Sequence, residues 1–386
     1  MSKPIVVHKY GGSSVSDLDK IQAVASKIAQ TFRSGYDVVV VVSAMGNTTD
    51  ELLDKARQIN PKPSRRELDM LLSVGERISV ALLSMAIHSH GVDAISFTGS
   101  QSGILTTSGH STARIVEVRP YRIQDELAAG RVVIVAGYQG ASYRREITTL
   151  GRGGSDTTAV ALAAALGAEA CEIYSDVDGI YSTDPRLVAD AHKLEQITYD
   201  EMQELARMGA KVLNATAVEF ARRAGIALYA RSTHTDGSGT HIHGGGGFRR
   251  VDGLEERIAA EEAGLGIRAV TGFDQLLYVR WPGDPEPLFE AVEDLASPWC
   301  QTEGDETTLL LARDDIHDED SLRESLLALN SAATVDLSRG VVAAVGTGIG
   351  DRPRCARALR AALRDAGVTV HALRAAGPSV SALIPS

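Results

Sequence analysis

The sequence predicts an α/β protein in which a mostly parallel sheet is covered by helices on both faces and is followed by two smaller α+β modules. Short apolar runs rich in β-branched residues alternate with helical patterns up to residue 231, which is typical of parallel strands joined by crossover helices. After the run 233–247, which is rich in glycine and almost free of apolar residues, the pattern changes to short strands and short helices.

The first domain is predicted from these alternating patterns. The strands are expected at 5–8, 37–42, 93–97, 132–136, 170–174 and 227–231, and the helices at 17–31, from 50 onward, and at 65–90, 157–167, 200–208 and 214–224. Gly75 interrupts the longest helix at a cost of about 1 kcal/mol relative to alanine, so it predicts a close approach or a kink. The polar segment 98–114 is predicted to be a lid or a substrate loop.

The C-terminal third is predicted to hold a tandem pair of modules, because the order strand, helix, strand, strand occurs there twice. The predicted strands include 264–271, 276–281, 307–312, 341–346, 368–373 and 380–383. The predicted boundaries are 1–245 for the first domain, 246–263 for a linker, 264–335 for the first module and 336–386 for the second, which stops early.

Composition and charge exclude several classes of function. The 386 residues carry a formal net charge of −11, which argues against non-specific nucleic-acid binding. No run of about 18 apolar residues and no signal-peptide pattern is found, so we expect a cytoplasmic protein without a membrane partner. Cys171, Cys300 and Cys355 form no C-x-x-C pair and are predicted to be ordinary thiols.

The loop 147–158, which reads I-T-T-L-G-R-G-G-S-D-T-T, is a predicted anion site. Glycines let backbone N–H groups turn toward a ligand, and the helix that follows adds the positive end of its dipole. Arg152 can bind a carboxylate or phosphate, and Asp156 can orient a phosphoryl group, a metal or a nucleophile. The loop has no Gly-Lys-Ser/Thr and is not a Walker motif, and an ordinary tight turn is the alternative.

A second glycine loop supports a nucleotide site. Lys9 stands just before Gly11 and Gly12 at the end of the first predicted strand, and ligands bind at this edge of an open α/β sheet. Phosphoryl transfer depends mostly on positioning and electrostatic stabilisation, so cations on glycine loops are what it requires. Together the two loops predict a phosphate site without a Walker motif.

Four motifs resemble those of the aspartate kinase family. They are K-Y-G-G-S-S-V at 9–15, S-V-G-E-R-I-S at 73–79, T-T-L-G-R-G-G-S-D at 148–156 and S-D-V-D-G-I-Y at 175–181. The C-terminal modules resemble the family's regulatory ACT pair, so the resemblance covers nearly the whole chain. It implies an amino-acid-kinase fold followed by two ACT-like, ferredoxin-like modules, the second truncated.

The resemblance also implies an activity. The expected reaction transfers the γ-phosphoryl group of ATP to the β-carboxylate of L-aspartate, giving 4-phospho-L-aspartate and ADP. Mg²⁺ is expected to arrive with the nucleotide, without a metal site formed by the protein alone. A homodimer or higher homo-oligomer is expected to form through the ACT-like modules.

Individual roles follow from the same resemblance. Lys9 is implied to neutralise the migrating phosphoryl group and Asp156 to organise the catalytic cations, with Arg152 as a third catalytic residue. The implied acceptor-binding residues are Ser43, Thr49, Glu76 for the ammonium group and Arg152 for the α-carboxylate. The implied nucleotide-binding residues are Lys9, Tyr10, Gly11, Gly12, Ser175, Asp176, Tyr181, Arg186 and Lys211.

These roles agree with the chemistry of the acceptor. Aspartate carries an ammonium group and two carboxylates, so its site needs an anion such as Glu76 and a bidentate cation such as Arg152. A carboxylate nucleophile is already ionised at neutral pH and needs no general base. The histidines are therefore predicted to be packing or surface residues, namely His8, His88, His90, His110 and His192.

The C-terminal modules depart from the family pattern. The first has the proline-rich, acidic segment W-P-G-D-P-E-P at 281–287 where a glycine-rich effector turn is expected. The second has G-T-G-I-G-D-R-P at 346–353, which is closer, but lacks the helix expected after its last strand. These departures predict weak or absent feedback inhibition by lysine or threonine.

Two alternative functions stay open. The chain could be a relative with another amino-acid acceptor, because Glu76 and Arg152 recognise the α-amino acid group and not its side chain. It could also be a non-catalytic amino-acid sensor or regulatory subunit, against which Lys9 and Asp156 argue.

Overall fold

The computed structural model describes residues 3–151, 153–210, 212–244, 266–293 and 295–386. The chain divides into two compact units. The first comprises Met1–Ile180, Lys193–Met202 and Val212–Gly245, and the second comprises Tyr181–His192, Gln203–Lys211 and Gly246–Ser386. Two short segments of the predicted first domain therefore belong to the second unit.

An eight-stranded sheet forms the centre of the first unit. The strands up to residue 243 are β1 (Ile5–Tyr10), β2 (Asp37–Val42), β3 (Ala94–Phe97), β4 (Ile104–Thr106), β5 (Ile115–Val118), β6 (Val132–Ala136), β7 (Gln139–Ser142), β8 (Ile147–Thr149), β9 (Ala170–Ser175), β10 (Ile180–Tyr181), β11 (Lys193–Leu194), β12 (Gln196–Thr198), β13 (Ala227–Ser232) and β14 (Thr240–His243). The large sheet has the order β12-β14-β13-β9-β1-β2-β6-β3. Its neighbouring strands are parallel except for β13 and β14, which confirms the predicted mostly parallel sheet.

Helices cover both faces of this sheet. The helices up to residue 224 are α1 (Leu18–Arg33), α2 (Thr48–Ile59), α3 (Arg65–Leu72), α4 (Val74–Ser89), α5 (Tyr121–Ala128), α6 (Gly154–Leu166), α7 (Tyr199–Arg207) and α8 (Ala215–Ala224), and not all of them contact the large sheet. α1 and α4 pack over one face, where Tyr10, Val40 and Ile134 lie in the core. α6 packs against β1, β2 and β9 and against α8. Because side chains alternate along a strand, Lys9 points to the face covered by α6.

Several element boundaries agree with the sequence pattern. β2 and β6 match their predicted ranges residue for residue, since each, apart from Asp37 at the start of β2, is a short run of fully buried β-branched residues and alanine. The helix predicted at 65–90 is two helices, α3 and α4, that meet at Ser73. A Cβ atom at Gly75 would lie 2.7 Å from the Cβ of Ala44, which confirms the predicted close approach.

A small second sheet includes part of the segment 98–114, whose role as a lid or a substrate loop stays a prediction. This segment contains β4, which belongs to a four-stranded sheet of order β5-β4-β7-β8. Its strands have only three or four residues each, so they show no clear alternation in the sequence. The stretch around Arg145 forms the β7–β8 hairpin.

The C-terminal part of the second unit contains two four-stranded antiparallel sheets. Its strands are β15 (Ala269–Phe273), β16 (Leu276–Pro282), β17 (Trp299–Glu303), β18 (Glu306–Ala312), β19 (Thr334–Asp336), β20 (Arg339–Val345), β21 (Ala372–Ala376) and β22 (Ser379–Pro385), and its helices are α9 (Glu286–Val292), α10 (Glu319–Leu329) and α11 (Pro353–Asp365). The sheet orders are β17-β18-β16-β19 and β15-β20-β22-β21.

The predicted tandem division at 264–335 and 336–386 is wrong for its first strand. β15 pairs with β20, with Ala269 opposite Val345, so it belongs to the second module's sheet. The first module is thus inserted between β15 and β20. Pairing between strands so far apart in the chain cannot be derived from the order of elements. The second module receives its fourth strand from β15, and among the described residues no helix follows β22. The predicted linker at 246–263 lies outside the described residues.

Helices α3 and α4 lie in an apolar stretch, Arg65–Ser89, that is long and apolar enough to cross a membrane, with a mean hydropathy of 1.6 in its most apolar window. That window is 56% buried inside the protein, and Leu83 and Ile87 pack in the core of the first unit. Core helices pass the same test, so the stretch is weak evidence for a membrane span.

Candidate active site

The candidate site lies at the carboxyl edge of four neighbouring parallel strands, in the order β2-β1-β9-β13. Ser43 N donates a hydrogen bond to Tyr10 O at 3.1 Å, and Gly11 N donates to Tyr174 O at 3.3 Å. The loops after β2, β1 and β9 are therefore held side by side at the edge where ligands bind in open α/β sheets.

Lys9 and Asp156 form an ion pair at this edge. Lys9 Nζ lies 2.7 Å from Asp156 Oδ1, and their side chains are only 12% and 10% exposed. Apart from this ion pair, the buried Oδ1 has no hydrogen-bond partner within the described residues. The structure thus joins the first and third sequence motifs in one partly desolvated pair of charges.

The loop before α6 directs Asp156 and the N-terminus of the helix toward Lys9. Gly153 precedes the helix with a left-handed φ of 69°, and Asp156 lies in the first turn. A Cβ atom at Gly153 would lie 2.2 Å from Asn214 Nδ2, so both conformation and space require glycine. The positive end of the α6 dipole adds to the attraction for an anion.

Glu76 is a buried carboxylate in the first turn of α4. Its Oε1 accepts a hydrogen bond from Ala44 N at 3.1 Å, and its Oε2 is buried without a hydrogen-bond partner within the described residues. Burial raises the pKa of Glu76 from 4.5 to about 7, although the hydrogen bonds from its own backbone and from Ala44 oppose this shift. Such a group is suited to pairing with a cation.

Tyr10 and Gly11 require corrections as nucleotide-binding residues. The Tyr10 side chain is fully buried, stacks on Tyr174 with ring centroids 4.8 Å apart, and lies on the face away from Lys9. The Gly11 N–H is already bonded to Tyr174 O. Tyr10 and Gly11 therefore support the loop. Of the two glycines, Gly12 is the one left for a backbone contact to phosphate.

Ser43 and Thr49 lie on the loop and helix that follow β2. Ser43 is half-buried directly after the strand, and Thr49 is half-buried in the first turn of α2. The loop between them is fixed by a hydrogen bond from Gly46 N to Gly12 O at 3.1 Å. Both positions therefore belong to the same edge of the sheet as Lys9.

Ser175 and Asp176 lie at the carboxyl end of β9. Thr233 N donates to Ser175 O at 2.9 Å, and the Thr233 hydroxyl is 2.6 Å from Ser14 Oγ. Sequence reasoning missed Ser14 and Thr233, although both stand in polar loops after predicted strands. The loops after β1, β9 and β13 are thus connected at this edge, two of them through hydroxyl groups.

Tyr181 and Arg186 belong to Tyr181–His192, a segment of the second unit. Arg186 makes a salt bridge of 2.7 Å with Asp184 and lowers the pKa of that carboxyl group to about 2. Arg152 and Lys211 lie outside the described residues. The nucleotide and acceptor roles of these four residues stay predictions.

A buried network that the sequence did not predict is centred on Asp69 of α3. Asp69 is fully buried and accepts hydrogen bonds from Thr149 Oγ1 at 2.6 Å and from Ser111 N at 3.0 Å, and His110 Nδ1 lies 2.7 Å away. His110 therefore has a more specific contact than packing. His8, in contrast, is buried beside Tyr10, and burial lowers its pKa to about 4.

The residues present fit an anionic ligand such as a nucleotide phosphate. Lys9, the start of α6 and the loop at Gly12 supply positive charge and backbone donors, and the Asp156 carboxylate could coordinate a metal ion or accept a hydrogen bond from its water. Within the part of the chain that the structure describes, no group of three or more histidine, cysteine or acidic residues could hold a metal ion.

Comparison with known proteins first defines the class. A sequence model of the "Amino acid kinase family" matches residues 4–232. The aspartokinase of Mycobacterium tuberculosis is 59% identical over 241 residues, which are 62% of this chain and 57% of that protein. This match spans less than two thirds of the relative.

Other relatives extend the match to the whole chain. The aspartokinase of Corynebacterium efficiens is 44% identical over 396 residues, covering 98% of this chain and 92% of the relative. The crystal structure of E. coli aspartokinase III with aspartate and ADP has a TM-score of 0.82 at 23% identity, covers 99% of this chain and 96% of that one, and confirms the fold. The chain therefore belongs to the amino acid kinase family and, within it, to the aspartokinases.

Proposed function

We propose that this protein is an aspartate kinase, which transfers the γ-phosphoryl group of ATP to the β-carboxylate of L-aspartate and forms 4-phospho-L-aspartate and ADP. The proposal is supported by membership of the aspartokinase family and by the chemistry of the candidate site. The E. coli structure is a complex with aspartate and ADP, and both ligands fit the charges described above.

The observation that carries the proposal is the position of two opposite charges on one sheet edge. Lys9, paired with Asp156, lies at the N-terminus of α6, whereas Glu76 has a buried oxygen without a hydrogen-bond partner within the described residues. The first group suits a phosphate and the second suits an ammonium group. Arg152 is proposed to bind the α-carboxylate of the acceptor.

In the proposed reaction, an oxygen of the acceptor's β-carboxylate bonds to the γ-phosphorus while the bond from that phosphorus to the β,γ-bridging oxygen breaks. ADP leaves with the electron pair, and no proton moves. Lys9 and the α6 terminus lie where negative charge is concentrated, and Glu76 holds the acceptor by its ammonium group. The absence of a general base in this scheme follows from the ionised acceptor.

The nucleotide supplies the phosphoryl group, and Mg²⁺ is proposed to accompany its phosphates with Asp156 nearby. Ser175, Asp176, Tyr181, Arg186 and Lys211 are proposed as further nucleotide contacts. We also place the enzyme in the cytoplasm, where ATP is available, and propose a homo-oligomer formed through the ACT-like modules, since symmetric association is usual for soluble enzymes.

A coupled ADP-release assay over a panel of amino acids tests the proposal. We expect turnover with L-aspartate and none with glutamate, asparagine or alanine. Lys9→Ala should reduce kcat by about 1,000-fold, because it removes the cation that faces the phosphate. Lys62→Ala, at an exposed lysine, is the matched control and should keep full activity.

The panel also separates the alternatives. Turnover with a different amino acid identifies a relative with a changed acceptor, which Glu76 and Arg152 also allow. Amino-acid binding without ADP release, in both the unchanged protein and Lys9→Ala, identifies a sensor and contradicts the kinase proposal.

A further inference from the structure

Asp69 is an unusual residue because its fully buried carboxylate has polar contacts with two separate segments of the first unit, one at Thr149 and one at His110 and Ser111. Thr149 Oγ1 donates to Oδ1 at 2.6 Å, Ser111 N donates to the same oxygen at 3.0 Å, and His110 Nδ1 is 2.7 Å from Oδ2. A buried charge is costly unless such partners compensate for its lost hydration. Of these four residues, only Thr149 lies in a motif described above, the one at 148–156, and none of the four has been assigned a contact with substrate.

The partners of Asp69 connect it to the anion-binding loop. Thr149 ends β8, two residues before Gly151, and its carbonyl oxygen accepts a hydrogen bond from Ala113 N at 2.9 Å. A Cβ atom at Gly151 would lie 3.3 Å from Ser111 O, so the 110–113 segment packs against the same loop. Ser111 has a left-handed φ of 69°, which is unfavourable for a residue with a Cβ and is maintained by these contacts.

Asp69 is also tied to the helix that carries Glu76. It lies on α3, which ends at Leu72, and α4 begins at Val74 with Glu76 in its first turn. The junction is fixed from a third side, because Gln139 Nε2 donates to Ser73 O at 2.9 Å. One carboxylate thus links the start of the Glu76 helix to the loop that contains Arg152 and leads to Asp156.

We propose that Asp69 is a positioning residue that sets the distance between Glu76 and the loop 150–153, the two elements that hold the ammonium and carboxylate groups of the acceptor. This inference rests on the proposed function. Loss of the hydrogen bonds to Asp69 displaces Glu76 and the loop 150–153 relative to each other, while Lys9 and the nucleotide loops keep their positions. Binding of the acceptor is therefore weakened more than binding of the nucleotide.

The first test is the isosteric variant Asp69→Asn, assayed for the KM values of both substrates. We expect the KM for aspartate to rise by about tenfold and the KM for ATP to change by less than about twofold. Asp37→Asn is the control, because this partly buried carboxylate begins β2 at the opposite edge of the sheet.

The second test keeps the inference open to refutation if Asp69→Asn does not fold. Thr149→Val should also raise the KM for aspartate selectively, and Thr149→Ser, which restores the hydroxyl, should return it to within about twofold of the unchanged enzyme. Thr148→Val is a matched control, since Thr148 is equally buried but its hydroxyl contacts Thr106 at 2.5 Å.

A selective rise in the KM for aspartate, restored by serine at position 149, supports the inference. The inference is overturned if the variants fold and their KM values are unchanged. It is also overturned if the KM values for aspartate and ATP rise equally and Thr148→Val shows the same rise. An unchanged enzyme that does not phosphorylate aspartate refutes the proposed function instead, and the same variants are then assayed with the acceptor that the panel identifies.

Discussion

The strand-end loops of the first unit and the turns of the C-terminal modules differ in how they use their polar groups. At the candidate site, Glu76 Oε2 is buried without a hydrogen-bond partner within the described residues, and Asp156 Oδ1 is buried with only the ion pair to Lys9. In the first module, the turn after β16 satisfies its own groups: Trp281 Nε1 donates to Asp284 O at 2.9 Å, and Asn330 Nδ2 donates to Pro282 O at 2.9 Å.

The turn of the second module is also occupied by the protein itself. Gly346 N donates to Pro378 O at 2.8 Å and Gly350 N donates to Gly377 O at 3.0 Å. Two buried polar atoms without partners in the described part of the modules, Trp299 Nε1 and Ser381 Oγ, lie on strands rather than in turns, and five more lie elsewhere in the first unit. Because buried polar groups normally have partners, the Glu76 oxygen without a partner among the described residues favours a ligand at the candidate site, whereas the groups named in these module turns are already occupied.

The largest effect that tests this comparison is expected from Asp156→Asn. It keeps the shape of the side chain but removes the charge beside Lys9, so kcat should fall by about 1,000-fold while the KM for aspartate changes little. Steady-state assays measure both values. Asp19→Asn, at an exposed residue in the first turn of α1, is the control, and an Asp156→Asn enzyme of normal kcat would remove Asp156 from the site.

Glu76→Gln should have the next largest effect, on acceptor binding and its pH dependence. The pKa of Glu76 is about 7 in the folded protein, so the unchanged enzyme should lose about tenfold in kcat/KM for aspartate per pH unit below that value. The variant should have a kcat/KM about 100-fold lower and without this slope. A variant that keeps the slope contradicts the assignment of the ionised group.

The same substitution should stabilise the free protein. Since folding raises the pKa of Glu76 from 4.5 to about 7, the folded state holds the proton more tightly, and stability falls as pH rises between these values. Glu76→Gln should therefore increase the free energy of unfolding by up to about 3 kcal/mol near pH 8, and by about 1 kcal/mol less near pH 6. Urea unfolding at both pH values checks this, and a destabilised variant shows that Glu76 is a structural residue.

The fold could be predicted where local pattern decides it. The buried valine run of β2 and the glycine before α6 define a strand, a loop and a helix start without any distant contact. The place of β15 in the sheet of the second module could not be predicted, because Ala269 pairs with Val345 and the whole first module lies between them in the sequence. The strands of the small sheet are too short to show a period.

The part of the candidate site that could be predicted from the sequence consists of charged residues in glycine-rich loops after predicted strands. Lys9 and Asp156 were predicted as partners of the same reaction, and the structure brings them to 2.7 Å. Asp69 was missed because its place in an amphipathic helix resembles that of a solvent-exposed acid. Tyr10 was assigned to the nucleotide by its motif, although alternation along β1 turns its side chain into the core.

The smallest effect on activity is expected from the effector amino acids lysine and threonine. This prediction tests the module turns, the second part of the comparison. Effector binding requires free donors and acceptors in the module turns, whereas the turns at Pro282 and Gly346 already bond to Asn330 and Pro378. Lysine and threonine at about millimolar concentration, alone and together, should therefore reduce activity by less than about twofold, below the roughly 5- to 150-fold range of allosteric coupling. A several-fold inhibition would show that these turns open to bind an effector, and that internally satisfied polar groups do not identify a turn without a ligand.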